Sequence, residues 1–533
     1  MCVTFDVITF RRQPGGTVSD PRPQTCVPAP APKHDSSFPI KHLIVLMLEN
    51  RSFDHMLGYA DIPNLDNILN RPVSVPPYGN KDKHGKEHFT TSVAETSGLT
   101  DPGHDFDDVC MQLYGAYGHE KNCEAPNAYD NDPAMQGFIR SYEPYDPGNA
   151  PSVMDCFDPK CLPVLTTLAK EYAVCDHWFS SIPGPTLPNR LFAHCGTSDG
   201  RLDLSAEEFG TPRTIYEVLS KQDVSATIYA GGWTAAATFW NLMKSQDQYF
   251  GTLDDFYQDC YDDNLPRYCF LEPRYSPGIV DGTFRPQNDQ HPDSDIADGE
   301  HLIFSVYQAI RSNINVWKSS MLVIVYDEHG GIYDHVPPPA AIPPDNKPSP
   351  DPYFTFNRYG VRVPAVIVSA YTKAVVCKDL FDHTSLISTA RNVLTPDYKR
   401  DDGVLGKRAM CARTFDTDQI LNLHDARTDH VPIEPPTCKP APVKAYCLNH
   451  LQISALRQAL CLNSRLPQSV QIKPGAELKG VTLESTEGDF CTIQQTDAEH
   501  YTRSVMTTVR HLPADIRKQL EVVPCSVHSR KSL

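Results

Sequence analysis

The chain has 533 residues, with 66 aspartates and glutamates against 48 lysines and arginines, a formal charge of −18 at pH 7. That length buries a large core, and that charge argues against a nucleic-acid backbone as the main partner. Apolar residues at 40% and charged residues at 21% describe a folded chain and exclude a disordered one. The 47 prolines outnumber the 29 glycines, which predicts many fixed loops and short elements.

No stretch approaches the roughly 18 consecutive apolar residues of a membrane span, so no transmembrane segment is expected. The opening MCVTFDVITFRRQPGG has no apolar h-region or clean cleavage site, so no signal peptide is visible. A cytoplasmic location is favoured, with secretion as the alternative. The 17 cysteines are scattered and contain no paired CxxC units, which argues against a zinc ribbon or finger. Reduced thiols are the first expectation and disulfides the second, with Cys156 and Cys161, or Cys260 and Cys269, as candidate bridges.

In chain order, residues 1–37 read as an irregular arm. The apolar run Leu43–Leu48 follows, flanked by polar residues, as a strand buried on both faces requires. Three- and four-residue apolar spacing predicts helices over Leu162–Tyr172 and Pro188–Thr197. A second strand run spans Ala226–Ala230, and a helix spans Ile296–Ile314. Strand runs at Met321–Tyr326 and Val363–Val368 and a helix at Thr384–Val393 complete the pattern. Strands alternating with helices predict an α/β sandwich on a mostly parallel sheet, one catalytic domain over residues 38–425. Residues 426–533 open with a proline-rich crossing, continue in a helix near Gln452–Leu462, and end in short strand-like runs of unassigned role.

Ligands of open parallel sheets bind at the carboxyl ends of the strands. After the first run comes Glu49-Asn50, and after the Met321–Tyr326 run comes Asp327-Glu328. Both strands therefore end in adjacent oxygen-bearing side chains suited to a cation. Acidic helix caps or solvated strand ends are the plainer reading of one such pair, and two pairs on two buried strands argue against it.

Thr186 lies just before a helix expected to start at Pro188, where free N–H groups and the helix dipole favour phosphate. A plain N-cap is the alternative. Such a hydroxyl attacks phosphorus if a cation lowers its pKa and an arginine neutralises the phosphoryl oxygens. Arg190, four residues on, is the candidate arginine. His104, His291, His335 and His383 sit in loops beside carboxylates, which orient imidazole for proton transfer. His104 and His291 rank highest.

The blocks LMLENRSFDHMLGY, DPGHDF, CDHWFSSIPGPTLPNR, NDQHPDSDIADGE, YDEHGGIYDHV and FDHTSL, in this order over about residues 38–395, resemble the phosphoesterase family. That family comprises bacterial phospholipases C, plant non-specific phospholipases C and related acid phosphatases. The resemblance implies an alkaline phosphatase-like core, one metal site and a covalent phospho-enzyme. Its metal ligands fall on Glu49, Asn50, Asp327 and Glu328. Its nucleophile falls on Thr186, which also touches the metal, and its active-site histidines fall on His104 and His291. Arg190, Asp295, His335 and His383 are added as further candidates.

The segment Thr186–Arg190 also has the outline of the sulfatase signature, but threonine cannot form formylglycine, so sulfate-ester hydrolysis is disfavoured. The expected activity is a phospholipase C-type phosphodiesterase that releases diacylglycerol and a phosphorylated headgroup through a phosphothreonine. An acid phosphatase on the same site and an inactive metal-binding scaffold are the alternatives. The all-oxygen ligand set favours calcium, magnesium or manganese, with zinc as the alternative. The expected partner is a phospholipid or small phosphate ester, met by peripheral membrane contact.

Overall fold

The computed structural model describes residues 26, 34, 37–92, 99–115, 129, 133–203, 212–280, 283–395, 403–434, 448–475, 478, 481–483, 485, 493–512 and 520. Of the expected arm it therefore includes Cys26, His34 and Ser37.

Eight strands build one sheet: β1 (His42–Leu48), β2 (Ala173–Cys175), β3 (Ala226–Ala230), β4 (Phe250–Thr252), β5 (Tyr268–Glu272), β6 (Ser320–Tyr326), β7 (Ala365–Ser369) and β8 (Val375–Cys377). Their order across the sheet is β8-β2-β7-β6-β1-β5-β3-β4. β1 lies between β5 and β6 and is parallel to both. Only β7 runs against its neighbours. The connection from β6 to β7, residues 327–364, carries no helix, and an antiparallel return does not need one.

The apolar runs of β1 and β6 are continuous because both faces of these central strands are covered; all seven residues of β6 are buried. Helix α1 (Pro163–Glu171) packs against α3 (Ile296–Ser312), and α2 (Thr186–Cys195) against α4 (Thr384–Leu394). α2 starts two residues earlier than expected. Pro188 is its third residue, where the missing N–H costs no intrahelical bond, so Thr186 is the first helical residue and not the cap. β5 was not anticipated, because its run Tyr-Cys-Phe-Leu-Glu is short and ends in a charge.

Two further helices, α5 (His450–Arg465) and α6 (Gln495–Arg510), form a second apolar core with Trp240 and Met243. Gln458 Nε2 ties α5 to the Thr238 carbonyl at 3.0 Å. α6 corrects the expectation of strand-like runs near the end of the chain. Ala498, Tyr501, Val505 and Val509 recur at helical spacing and are buried.

Cys26 and Cys411 form a disulfide with a Cα separation of 5.4 Å, and Cys161 and Cys461 each take part in a further disulfide. The expectation of reduced thiols is thus corrected at these four positions and holds at Cys156, Cys260 and Cys269, which are free and buried, so neither candidate bridge forms. The Cys26–Cys411 partners lie 385 residues apart, so local spacing carried no signal. Among the described residues no helix is long and apolar enough to cross a membrane.

Candidate active site

β1 and β6 run side by side with Leu48 opposite Tyr326, so Glu49-Asn50 and Asp327-Glu328 leave the sheet together. Asn50 takes a left-handed conformation (φ 53°), which asparagine tolerates, and its N–H donates to Asp327 Oδ1 at 3.1 Å. Gly330 and Gly331 also have positive φ. A Cβ on Gly330 would lie 2.2 Å from the Asn50 carbonyl oxygen, and one on Gly331 2.5 Å from that of Gly103. Glycine at both positions lets the three loops close on each other.

Thr186 comes from the other side. Asn189 Nδ2 donates to the Gly184 carbonyl at 2.8 Å, and Asn189 Oδ1 accepts from the Ile182 N–H at 3.0 Å. This fixes the loop that aims the first residue of α2. Thr186 Oγ1 is 3.4 Å from Glu49 Oε2 and 3.3 Å from Asn50 Oδ1, at the positive end of the helix.

Arg190 lies one turn on and is fully buried. Its Nε donates to Asp327 Oδ2 at 3.0 Å and its Nη2 to Glu49 Oε1 at 2.5 Å, while Glu272 lies 3.8 Å away. In this geometry Nε and Nη2 are engaged by carboxylates, while the buried Nη1 has no hydrogen-bond partner among the described residues. Burial opposes its charge, but Tyr275, Glu49, Asp327 and Glu272 outweigh that and raise its pKa.

Three buried carboxylates thus face one arginine. Burial pushes Glu49 well above the usual carboxylate range, and Asp327 adds to this while Arg190 opposes it. Burial holds Glu328 up to about 8, with Asp327 adding and His104 opposing. Glu328 Oε2 accepts from the Gly330 N–H at 2.7 Å, whereas its buried Oε1 has no hydrogen-bond partner among the described residues. An unpartnered buried carboxylate oxygen beside excess negative charge is costly unless a cation sits there. The oxygen donors of Glu49, Asn50, Thr186, Asp327 and Glu328 fit a hard divalent cation.

The histidines form the opposite wall. His104 Nδ1 donates to the Pro102 carbonyl at 2.8 Å, which leaves Nε2 open. His291 Nδ1 pairs with Asp293 Oδ1 at 2.7 Å, and its Nε2 lies 3.5 Å from Asp101 Oδ1. Burial lowers the His291 pKa, but Asp293 and Asp101 outweigh it and raise it well above 6.5. Arg51 clamps this loop through the carbonyls of Gln290 (2.6 Å) and His291 (3.1 Å). The His104 and His291 rings are 6.3 Å apart.

His450, the first residue of α5, had not been anticipated. Its ring centroid is 5.3 Å from that of His104, and Asp101, His104 and His450 present ligand atoms within 4.8 Å of one another. Asn449 and Gln452 form a capping box that starts α5, and Asn449 Nδ2 reaches Asp293 Oδ2 at 3.4 Å. The Asn-His-Leu-Gln segment could have signalled a helix start. Nothing in it signals the site.

The remaining candidates stand elsewhere. His383 Nε2 donates to the Asp327 carbonyl at 2.6 Å, so it braces the loop that carries Asp327 and Glu328. Asp295 caps α3, accepting from the Ala297 N–H at 2.9 Å, and is not among the groups assembled around Thr186. His335 belongs to a second cluster: its Nδ1 pairs with Asp54 Oδ2 at 2.6 Å and its Nε2 with Asp66 at 3.2 Å, while Arg362 pairs with Asp54 and Asp334. That arginine already supplies a positive charge there.

The sequence pattern of the Phosphoesterase family matches residues 40–394. Non-specific phospholipase C3 of Arabidopsis thaliana is 34% identical over 414 residues, covering 74% of this chain and 76% of that protein. Phospholipase C B of Mycobacterium tuberculosis (strain ATCC 25618 / H37Rv) is 27% identical over 408 residues, covering 68% and 74%. Among solved structures, a protein in the alkaline phosphatase superfamily from Vibrio parahaemolyticus aligns at TM-score 0.30 and 10% identity, covering 48% of this chain and 64% of that one. With 355 of its 533 residues inside the matched pattern, the chain belongs to the Phosphoesterase family and is a phosphoric ester hydrolase.

Proposed function

We propose that this hydrolase is a phospholipase C-type phosphodiesterase in which Thr186 is the nucleophile. The observation that carries the reading is the convergence of Thr186 Oγ1 on the oxygens of Glu49 and Asn50 at a buried helix N-terminus. When bound by the Glu49, Asn50, Thr186, Asp327 and Glu328 oxygens, a divalent cation would favour the threonine alkoxide and neutralise phosphoryl charge. Calcium, magnesium or manganese suits that all-oxygen set better than zinc.

Thr186 Oγ1, having released its proton to solvent, attacks phosphorus in line and forms the Oγ–P bond as the P–O bond to diacylglycerol breaks. His291, held as imidazolium by Asp293, gives its Nε2 proton to the departing oxygen. The neutral imidazole then takes a proton from water, whose oxygen attacks phosphorus. The Oγ–P bond breaks, Thr186 Oγ1 recovers a proton from solvent, and the phosphorylated headgroup leaves. His104, when Nε2 also carries a proton, donates that N–H to a phosphoryl oxygen and holds the group during both steps.

The test measures hydrolysis of phosphatidylcholine and of an aryl monophosphate by the full chain and by Thr186→Ala. The expected result is faster turnover of the diester and loss of at least about 10³-fold in the variant for both substrates. An acid quench during turnover should trap phosphate on Thr186. Full activity of Thr186→Ala would refute the nucleophile, and preference for the monoester would make the enzyme a phosphatase.

A further inference from the structure

A cavity of about 670 Å³ opens at the carboxyl ends of β3 and β4, and none of the groups assembled around Thr186 lines it. One wall carries Arg274, Arg285, Arg503 and Arg510, gathered from the β5 loop, a hairpin strand and α6. In a chain of net charge −18 such a gathering runs against the average field. The guanidiniums are close enough to oppose one another. Burial lowers the Arg274 pKa, and Arg285 and Arg503 lower it further against the pull of Glu499.

The geometry leaves room for a ligand. β3 is followed by Gly231-Gly232, and a Cβ at Gly232 would stand 3.0 Å from Glu499 Oε1, 3.4 Å from Arg503 Nη2 and 3.5 Å from Arg274 Cγ. The absent side chain lets Glu499, Arg503 and Arg274 converge at this edge of the cavity. Arg274 Nε is buried without a hydrogen-bond partner among the described residues, while Arg274 Nη1 is fixed on the Pro286 carbonyl at 2.9 Å. Arg503 shares Glu499 at 2.7 Å and is half exposed. Asp254, Asp255 and Asp298 also line the cavity, Asp298 within electrostatic reach of Arg274 and Asp255 held in the capping box of helix Leu253–Tyr261. Arginines gathered on one cavity, one of them with a buried N–H left unpaired among the described residues, are suited to a planar or tetrahedral oxyanion.

We propose that this cavity is a second anion site, outside the hydrolytic centre, that takes a phosphate group carried either by a lipid headgroup or by a soluble monoester. It also touches the catalytic loops. Arg274 exchanges two backbone bonds with Asn288, at 2.6 Å to its side-chain oxygen and 3.0 Å from its N–H, and Asn288 directly precedes Asp289 and the His291 loop.

The experiment titrates inorganic phosphate calorimetrically into full-length Thr186→Ala protein treated with chelator, so that a cation at the hydrolytic centre contributes nothing. Binding is expected to persist and to weaken by about tenfold or more in the Arg285→Gln/Arg503→Gln double variant. Arg285 is exposed on its hairpin, so Arg285→Gln alone decides the matter, by a smaller loss in the same direction, should the double variant fail to fold. Absence of phosphate binding in the parent protein, or equal binding in the folded variant, overturns the proposal. Sedimentation with phosphatidylcholine vesicles, with and without phosphatidic acid, separates the sources. Loss of acid-dependent vesicle binding in the variant identifies a lipid headgroup; loss of phosphate binding with unchanged vesicle binding identifies a soluble monoester.

Discussion

Glu328→Gln is the substitution whose consequences follow most directly from the structure. The wild-type carboxyl is fully buried, with one oxygen bonded to the Gly330 N–H and the other unpartnered, and its pKa stands near 8 against an ordinary 4.5. An acid whose folded pKa is raised binds its proton more tightly in the folded state. Metal-free protein therefore loses stability as pH rises from about 4.5 toward 8, at about 1.4 kcal/mol per pH unit, on the order of 3 kcal/mol by pH 7. A bound cation offsets this loss by neutralising the carboxylate. Glutamine keeps the shape, removes the titration, and replaces a charged cation ligand with a neutral amide oxygen.

The assay is thermal unfolding between pH 5 and 8, in chelator and in excess calcium, magnesium or manganese. In chelator the wild-type melting temperature should fall with pH more steeply than that of Glu328→Gln, and the variant should be the more stable at pH 8. Added cation should raise the wild-type midpoint by several degrees and the variant's far less. Equal pH slopes for the two proteins, or an undiminished cation response in the variant, would refute the reasoning.

Three further outcomes are expected. Arg190→Met should destabilise the metal-free protein by about 3–5 kcal/mol, because Glu49 and Asp327 lose their shared guanidinium, as denaturant unfolding in chelator would read. His450→Gln should lower kcat/KM about 10- to 100-fold with an unchanged melting temperature, since its ring stands beside His104 at the outer wall of the site. His335, where burial is outweighed by Asp54 and Asp66, has its pKa raised to about 9. Its stabilising contribution is complete below about pH 6.5 and disappears as pH rises through 9, so His335→Gln should flatten the wild-type decline in melting temperature between pH 7 and 10.

The parts of the site legible in the sequence were those written locally. Two uninterrupted apolar runs, each ending in paired oxygen donors, announced β1 and β6 and the residues that follow them, because a strand covered on both faces cannot alternate. The four-residue step from Thr186 to Arg190 placed both on one helix, but not the direction of the guanidinium, which is governed by carboxylates arriving from two other strands. His291 and His335 carry the same local signal, an imidazole two residues or one from an aspartate. Only tertiary placement separates them, His335 being drawn into a cluster with Arg362. His450 gave no signal at all, because its relation to His104 exists only once α5 docks on the loop of Asp293.

That docking sets what a shortened chain could do. Residues 38–425 hold every oxygen donor around Thr186, so a fragment with those limits keeps the means to capture a cation. It lacks the imidazole of His450 and the Asn449 bond to Asp293, which itself orients His291. Cation capture and turnover are therefore separable by truncation, and an assay that reports only one of them would misjudge how much of the chain the enzyme needs.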